Sequence, residues 1–101
     1  MRVPSRTRFA KSAEEHFSQL TRRQQSIVLD AIKEQLQFEP LRQTRNRKRL
    51  RPNPLAGWEL RVGALRVFYE PDAEEPAVLN ILGIGVKRGN RLLIAGKEIT
   101  L

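Results

Sequence analysis

Trp58-Glu59-Leu60-Arg61-Val62-Gly63-Ala64-Leu65-Arg66-Val67-Phe68-Tyr69-Glu70 carries the clearest structural signal in the sequence. It reads as two short strands joined by Gly63-Ala64, where glycine can take the positive φ of a tight hairpin turn. If Val62 and Leu65 flank the turn as a pair, Arg61 faces Arg66, Leu60 faces Val67 and Trp58 faces Tyr69. Strand side chains alternate, so Trp58, Leu60, Val62, Leu65, Val67 and Tyr69 share one apolar surface that must meet a core. The other surface carries Glu59, Arg61, Arg66 and Phe68. Two arginines directly opposed across strands destabilise the pair. The pattern fits an anion lying over them, or two solvated cations balanced by Glu59 and Glu70.

Outward from the hairpin, composition narrows the class. At 101 residues, with 40% hydrophobic and 30% charged residues, the chain suits one soluble globular domain spanning residues 1–101. It has no cysteine and one histidine, so neither a disulfide framework nor a zinc site is expected, nor any cofactor. No apolar run approaches a membrane span, and the first residues lack a signal-peptide core, so a cytoplasmic location is expected. The net charge of +8 favours nucleic acid or an acidic protein as partner.

Before the hairpin, Arg2 to Phe9 suits an edge strand. Ser12-Ala13-Glu14-Glu15 has capping-box spacing and predicts a helix from about Ala13 to Leu20. Thr21-Arg22-Arg23-Gln24 repeats the box and predicts a second helix to about Gln37, with Val28, Ile32 and Leu36 as its buried stripe, widened by Ile27 and Leu29. Pro40 ends it. Pro40 to Pro54 holds Arg42, Arg45, Arg47, Lys48, Arg49 and Arg51 without an acid, and its prolines and asparagines read mostly as loop. It is a solvated basic loop, or a phosphate track continuous with the arginine face of the hairpin. Leu50 is the expected anchor within it.

After the hairpin, Pro71 to Pro76 is an acidic turn, and Ala77 to Ile84 is an apolar run suited to a central strand. A second basic cluster with Lys87, Arg88 and Arg91 follows. Leu92 to Ile94 can add a last strand, and the tail from Ala95 has no clear form. The expected architecture is α+β. A strand and a two-helix hairpin precede three or four antiparallel strands, with the helices packed on one face.

The inventory for chemistry is arginine, lysine and a few carboxylates. His16 lies within the first helix beside Phe17 and reads as a surface or boundary residue. Gly83-Ile84-Gly85 opens no helix, so a dinucleotide site fails on context. Tyr69 points at the core. Guanidinium groups suit the charge of a phosphorane during RNA cleavage by its own 2′-hydroxyl, or plain backbone binding. Cleavage also needs proton transfer. Glu59 is the base candidate, or else a cross-strand ion pair; Lys48 or Lys87 is the acid or electrostatic candidate.

Lys48-Arg49-Leu50, then Gly57-Trp58-Glu59-Leu60-Arg61-Val62-Gly63, Leu65-Arg66-Val67-Phe68-Tyr69-Glu70, and Ile81-Leu82-Gly83-Ile84-Gly85-Val86-Lys87-Arg88 together resemble the RelE/ParE superfamily of type II toxin–antitoxin modules. The resemblance runs from about residue 6 to residue 94. It implies a toxin neutralised by a small cognate antitoxin. RelE-like members cleave mRNA on the ribosome, whereas ParE-like members poison DNA gyrase; an inactive homologue would pair with its antitoxin alone. By this resemblance Arg66 and Arg61 stabilise the scissile phosphate, and Lys87 or Arg88 falls where a basic residue is common; Glu59, from its place on the hairpin face, completes the expected catalytic set. Arg45, Arg47, Lys48, Arg49, Arg51, Arg88 and Arg91 would bind RNA. Two positions depart from the pattern. Gly57 and Glu59 stand where lysines are common, and Leu92, Leu93 and Ile94 stand where a tyrosine or histidine is common.

Overall fold

A computed structural model describes residues 4–101. The elements are β1 (Arg6–Phe9), α1 (Lys11–Ser18), α2 (Arg22–Leu36), β2 (Arg47–Arg49), β3 (Trp58–Val62), β4 (Leu65–Pro71), β5 (Val78–Arg88), β6 (Arg91–Ile94) and β7 (Lys97–Ile99). They form an α+β fold with one seven-stranded sheet in the order β2-β3-β4-β5-β6-β7, and β1 joined to β5. The β1–β5 pairing is parallel and every other pairing is antiparallel.

The β3–β4 hairpin has the expected register at every pair from Val62↔Leu65 to Trp58↔Tyr69. Gly63 takes φ 57° at the turn, a conformation that costs glycine little and other residues more. The six apolar side chains of the hairpin meet Ala13 of α1 and Val28, Ile32 and Leu36 of α2 in the main core. Each fully buried aliphatic side chain there contributes ~1.5–3 kcal/mol. Trp58 and Tyr69 stack with ring centroids 6.2 Å apart. The Tyr69 hydroxyl donates to the Pro40 carbonyl, which fixes the chain leaving α2 to the middle of the sheet. Burial raises the Tyr69 pKa above its ordinary value, and nearby Arg47 only partly offsets this.

Several local expectations are corrected. The α2 capping box forms as expected, with Thr21 Oγ1 accepting from Gln24 N and Gln24 Oε1 accepting from Thr21 N. The first box does not form. Helix α1 begins two residues earlier, at Lys11, behind an Ala10 cap that offers no side chain. Ser12 Oγ instead donates to Leu82 O at 3.0 Å, so its hydroxyl ties the helix to β5. Ile27 and Leu29 are exposed, at 38% and 49%, because the sheet reaches only one side of α2. The basic run contributes a short strand, β2, through pairing with β3, and the tail contributes β7. Arg2 and Val3, the start of the expected edge strand, lie outside the described residues.

The sheet's other face is also partly covered. Phe68, Ala56, Leu92 and Ile94 form a second buried cluster, with Leu50, Leu55 and Leu82 packed against it. A Cβ on Gly85 would lie 2.9 Å from the Leu93 carbonyl oxygen, so the absence of a side chain there lets β6 close onto this face.

His16 is a boundary residue with a definite task. Its Nδ1 accepts from the backbone N–H of Ile84 at 3.2 Å, next to the β4–β5 register shift that skips Leu82. Burial lowers its pKa, and Glu15 partly offsets the effect. Protonation at Nδ1 would remove the acceptor. The unfolded chain binds the proton at ~6.5, above the folded value, so this contribution is present above ~6.5 and is lost as pH falls toward the lowered folded pKa. Urea midpoints measured from pH 7.5 to 5.5 should fall more steeply for the wild type than for His16→Asn, whose Oδ1 can accept without titrating. Parallel profiles would show that the imidazole contributes no pH dependence.

Candidate anion-binding site

Alternation along β2, β3, β4 and β5 places Lys48, Glu59, Arg61, Arg66 and Lys87 on the sheet face away from the helices. Lys48 stands opposite Glu59, Glu59 opposite Phe68, and Arg61 opposite Arg66. The paired arginines are held by different means. Glu59 is only 9% exposed, and its Oε1 accepts from Arg61 Nε at 2.8 Å. Arg66 Nη1 donates to the carbonyls of Gly63 and Leu65, at 2.7 and 2.9 Å, and so folds back on the hairpin turn. Burial lowers the Arg66 pKa; Glu59 raises it and Arg61 opposes that, yet an arginine remains charged at neutral pH.

Two cavities flank this pair. A cleft of about 620 Å³ between α2, the loop before β2 and the hairpin turn is lined by Arg45, Arg61 and Arg66, with Glu34, Gln35 and Asn46. A second, about 460 Å³, is lined by Glu59, Arg61, Lys87 and Arg91, with Glu98 and the tail. The four candidate catalytic residues therefore converge on one face, with Arg61 at the boundary between the cavities. Guanidinium groups so placed can receive phosphate oxygens by charge-assisted hydrogen bonds. Glu34, Asn46 and Glu98 carried no individual signal in the sequence. They reach the site through the packing of α2, the backbone bond from Arg61 N to Asn46 O, and the return of β7.

The cations assigned to RNA divide by location. Arg45 lines the first cleft and Arg91 the second, where Arg91 Nε donates to Glu98. Lys48 shares the face. Arg49 falls opposite Trp58, so it projects from the helix side of β2, and Arg51 is exposed in the loop beyond. Arg88 lines a separate cavity with His16 and Gln24. Arg47 is turned inward: its Nη1 donates to Gln35 O at 2.6 Å and Phe38 O at 3.3 Å, at the C-terminal end of α2. Its Nε is buried without a hydrogen-bond partner. A cation on the last carbonyls of a helix satisfies orphan acceptors and complements the helix dipole. Its placement is that of a helix cap.

The same fold is found among solved structures. A chain of the RelBE2 toxin–antitoxin complex from Mycobacterium tuberculosis is 29% identical, with a TM-score of 0.69, covering 85% of this chain and 100% of that one. This likeness supports a toxin of the RelE superfamily. A chain of the archaeal RelE–RelB complex from Pyrococcus horikoshii shares the fold at 20% identity, with a TM-score of 0.64 over 86% of this chain and 98% of that one. No family model and no curated protein matches the sequence. Within the superfamily fold, the region after β5 is occupied by apolar packing, since Leu92 and Ile94 are buried in the second cluster.

Arg47→Ala should lower stability by ~1–3 kcal/mol in urea unfolding, since two acceptors lose a charged donor. Arg49→Ala, on an exposed side chain, should stay within ~0.5 kcal/mol. Equal effects would contradict the inward role of Arg47.

Proposed function

We propose that this chain is the toxin of a type II toxin–antitoxin module, and that it cleaves mRNA on the ribosome in the cytoplasm. A small antitoxin chain would be its cognate partner, as the relative from Mycobacterium tuberculosis is part of a toxin–antitoxin complex. The observation that carries the catalytic reading is the placement of Arg61, Arg66 and Lys87 on the same sheet face as the buried Glu59, whose carboxylate holds Arg61. In the reaction the 2′-oxygen of a ribose bonds to its own phosphorus and the 5′-oxygen leaves, giving a 2′,3′-cyclic phosphate. The proton of the 2′-hydroxyl is removed and one is delivered to the leaving oxygen. Arg61 and Arg66 would stabilise the charge that builds on the phosphorane oxygens, where preorganised donors act most strongly. Lys87 would add a further positive charge, and Glu59, with one oxygen held by Arg61, has the other for the proton.

A second reading has its own support. Tyr69 is buried with its hydroxyl on Pro40, and Leu92 to Ile94 supply no acid or base. A toxin that acts by binding DNA gyrase would need none.

The test is a translating extract supplied with purified protein, followed by mapping of mRNA 5′ ends. Wild type should create new ends at the A-site codon, and Arg66→Ala or Arg61→Ala should slow their appearance by ~10²–10³. Intact mRNA with normal translation would overturn the nuclease reading and direct the work to gyrase supercoiling assays.

A further inference from the structure

Arg61 lines both cavities, and this shared position has a consequence for how a ligand sits. Its side chain is 42% exposed, and Glu59 engages it at Nε alone. A guanidinium is a planar fork of several N–H donors, so a bond at Nε leaves both terminal amino groups to serve oxygens on either side. The cavities differ in charge. The first sets Arg45, Arg61 and Arg66 against the single carboxylate of Glu34. The second sets Arg61, Lys87 and Arg91 against Glu59 and Glu98, each of which already engages one of the arginines. The first cavity is therefore the stronger seat for a phosphate. The second is the weaker, and its carboxylates can accept from hydroxyl groups beside the phosphate.

We propose that the two cavities hold successive phosphates of one single-stranded RNA, with Arg61 shared between them. Glu59 acts here as a positioning residue, holding Nε so that the rest of the fork faces the strand. The inference rests on the RNA reading above and extends it from a residue set to a ligand register. A ligand with one phosphodiester should take the first seat, and a ligand with two should fill both.

The test uses 2′-O-methyl oligonucleotides, which cannot be cleaved: a dinucleotide with one phosphodiester and a trinucleotide with two, both without terminal phosphates. Binding to the full chain is followed by NMR titration at low salt. For the trinucleotide, Arg45→Ala and Lys87→Ala should each weaken binding roughly 3–10-fold and reduce the salt slope by ~0.7, the value for one lost contact to a single strand. For the dinucleotide, Arg45→Ala should weaken binding while Lys87→Ala stays within about twofold of wild type. Arg61→Ala should weaken both ligands. Glu59→Gln retains an acceptor for Nε and should bind both ligands at least as well as wild type, whereas Glu59→Ala should bind them less well.

A trinucleotide indifferent to Lys87→Ala would remove the second seat. A dinucleotide weakened equally by both variants would mean one merged site, and failure of the wild type to bind either ligand would overturn the proposal entirely. Because neither probe can react, loss of the nuclease reading leaves this experiment intact. Conversely, an active nuclease with a single seat would discard only the two-seat register.

Discussion

The twofold alternation of the β3–β4 hairpin is the constraint on which the rest depends. One parity places Trp58, Leu60, Val62, Leu65, Val67 and Tyr69 against the helices, and so supplies much of the main core. The other parity necessarily brings Arg61 opposite Arg66. A one-residue slip would exchange the two sets, exposing the aromatic stack and burying the cations. The register that makes the core therefore also makes the anion site. Like charges so close are unfavourable alone, and the structure relieves them locally. Glu59 takes one guanidinium, and the turn carbonyls take part of the other.

Much of this was legible because it is local. The hairpin register followed from a two-residue turn and strict alternation, and α2 followed from a capping box ahead of a stripe of Val28, Ile32 and Leu36. The failures are non-local. Ser12 has the spacing of a cap, but its hydroxyl is drawn to a carbonyl seventy residues away, on β5. Nothing near Ser12 in sequence announces that partner. Ile27 and Leu29 lie beside the buried stripe on the helical wheel, yet the sheet ends before it reaches them.

The candidate site was legible to a different degree. Glu59, Arg61 and Arg66 could be placed together from alternation alone, whereas Lys87, expected in a flexible cluster, joins their face because β5 runs on to Arg88. The basic run could not be resolved, because cations look alike in sequence while a three-residue strand sorts them by parity. Arg47 and Lys48 are neighbours with opposite fates: one reaches under the sheet to the end of α2, and the other stands across from Glu59. The run is thus part scaffold and part surface, and its charge count overstates the cations free to meet a ligand.

The parallel pairing of β1 with β5 joins Arg6–Phe9 to Val78–Ile81, across most of the described chain. Such a contact closes a long loop and forms late compared with the helices and the hairpin. During synthesis Arg61 and Arg66 exist before β5 to β7 do. Lys87, Arg91 and Glu98, which complete the second cavity, are added after Arg61 and Arg66. For a protein proposed to attack translating ribosomes, this order has a protective sense: until those later residues are added, the ribosome making it holds only an unfinished sheet.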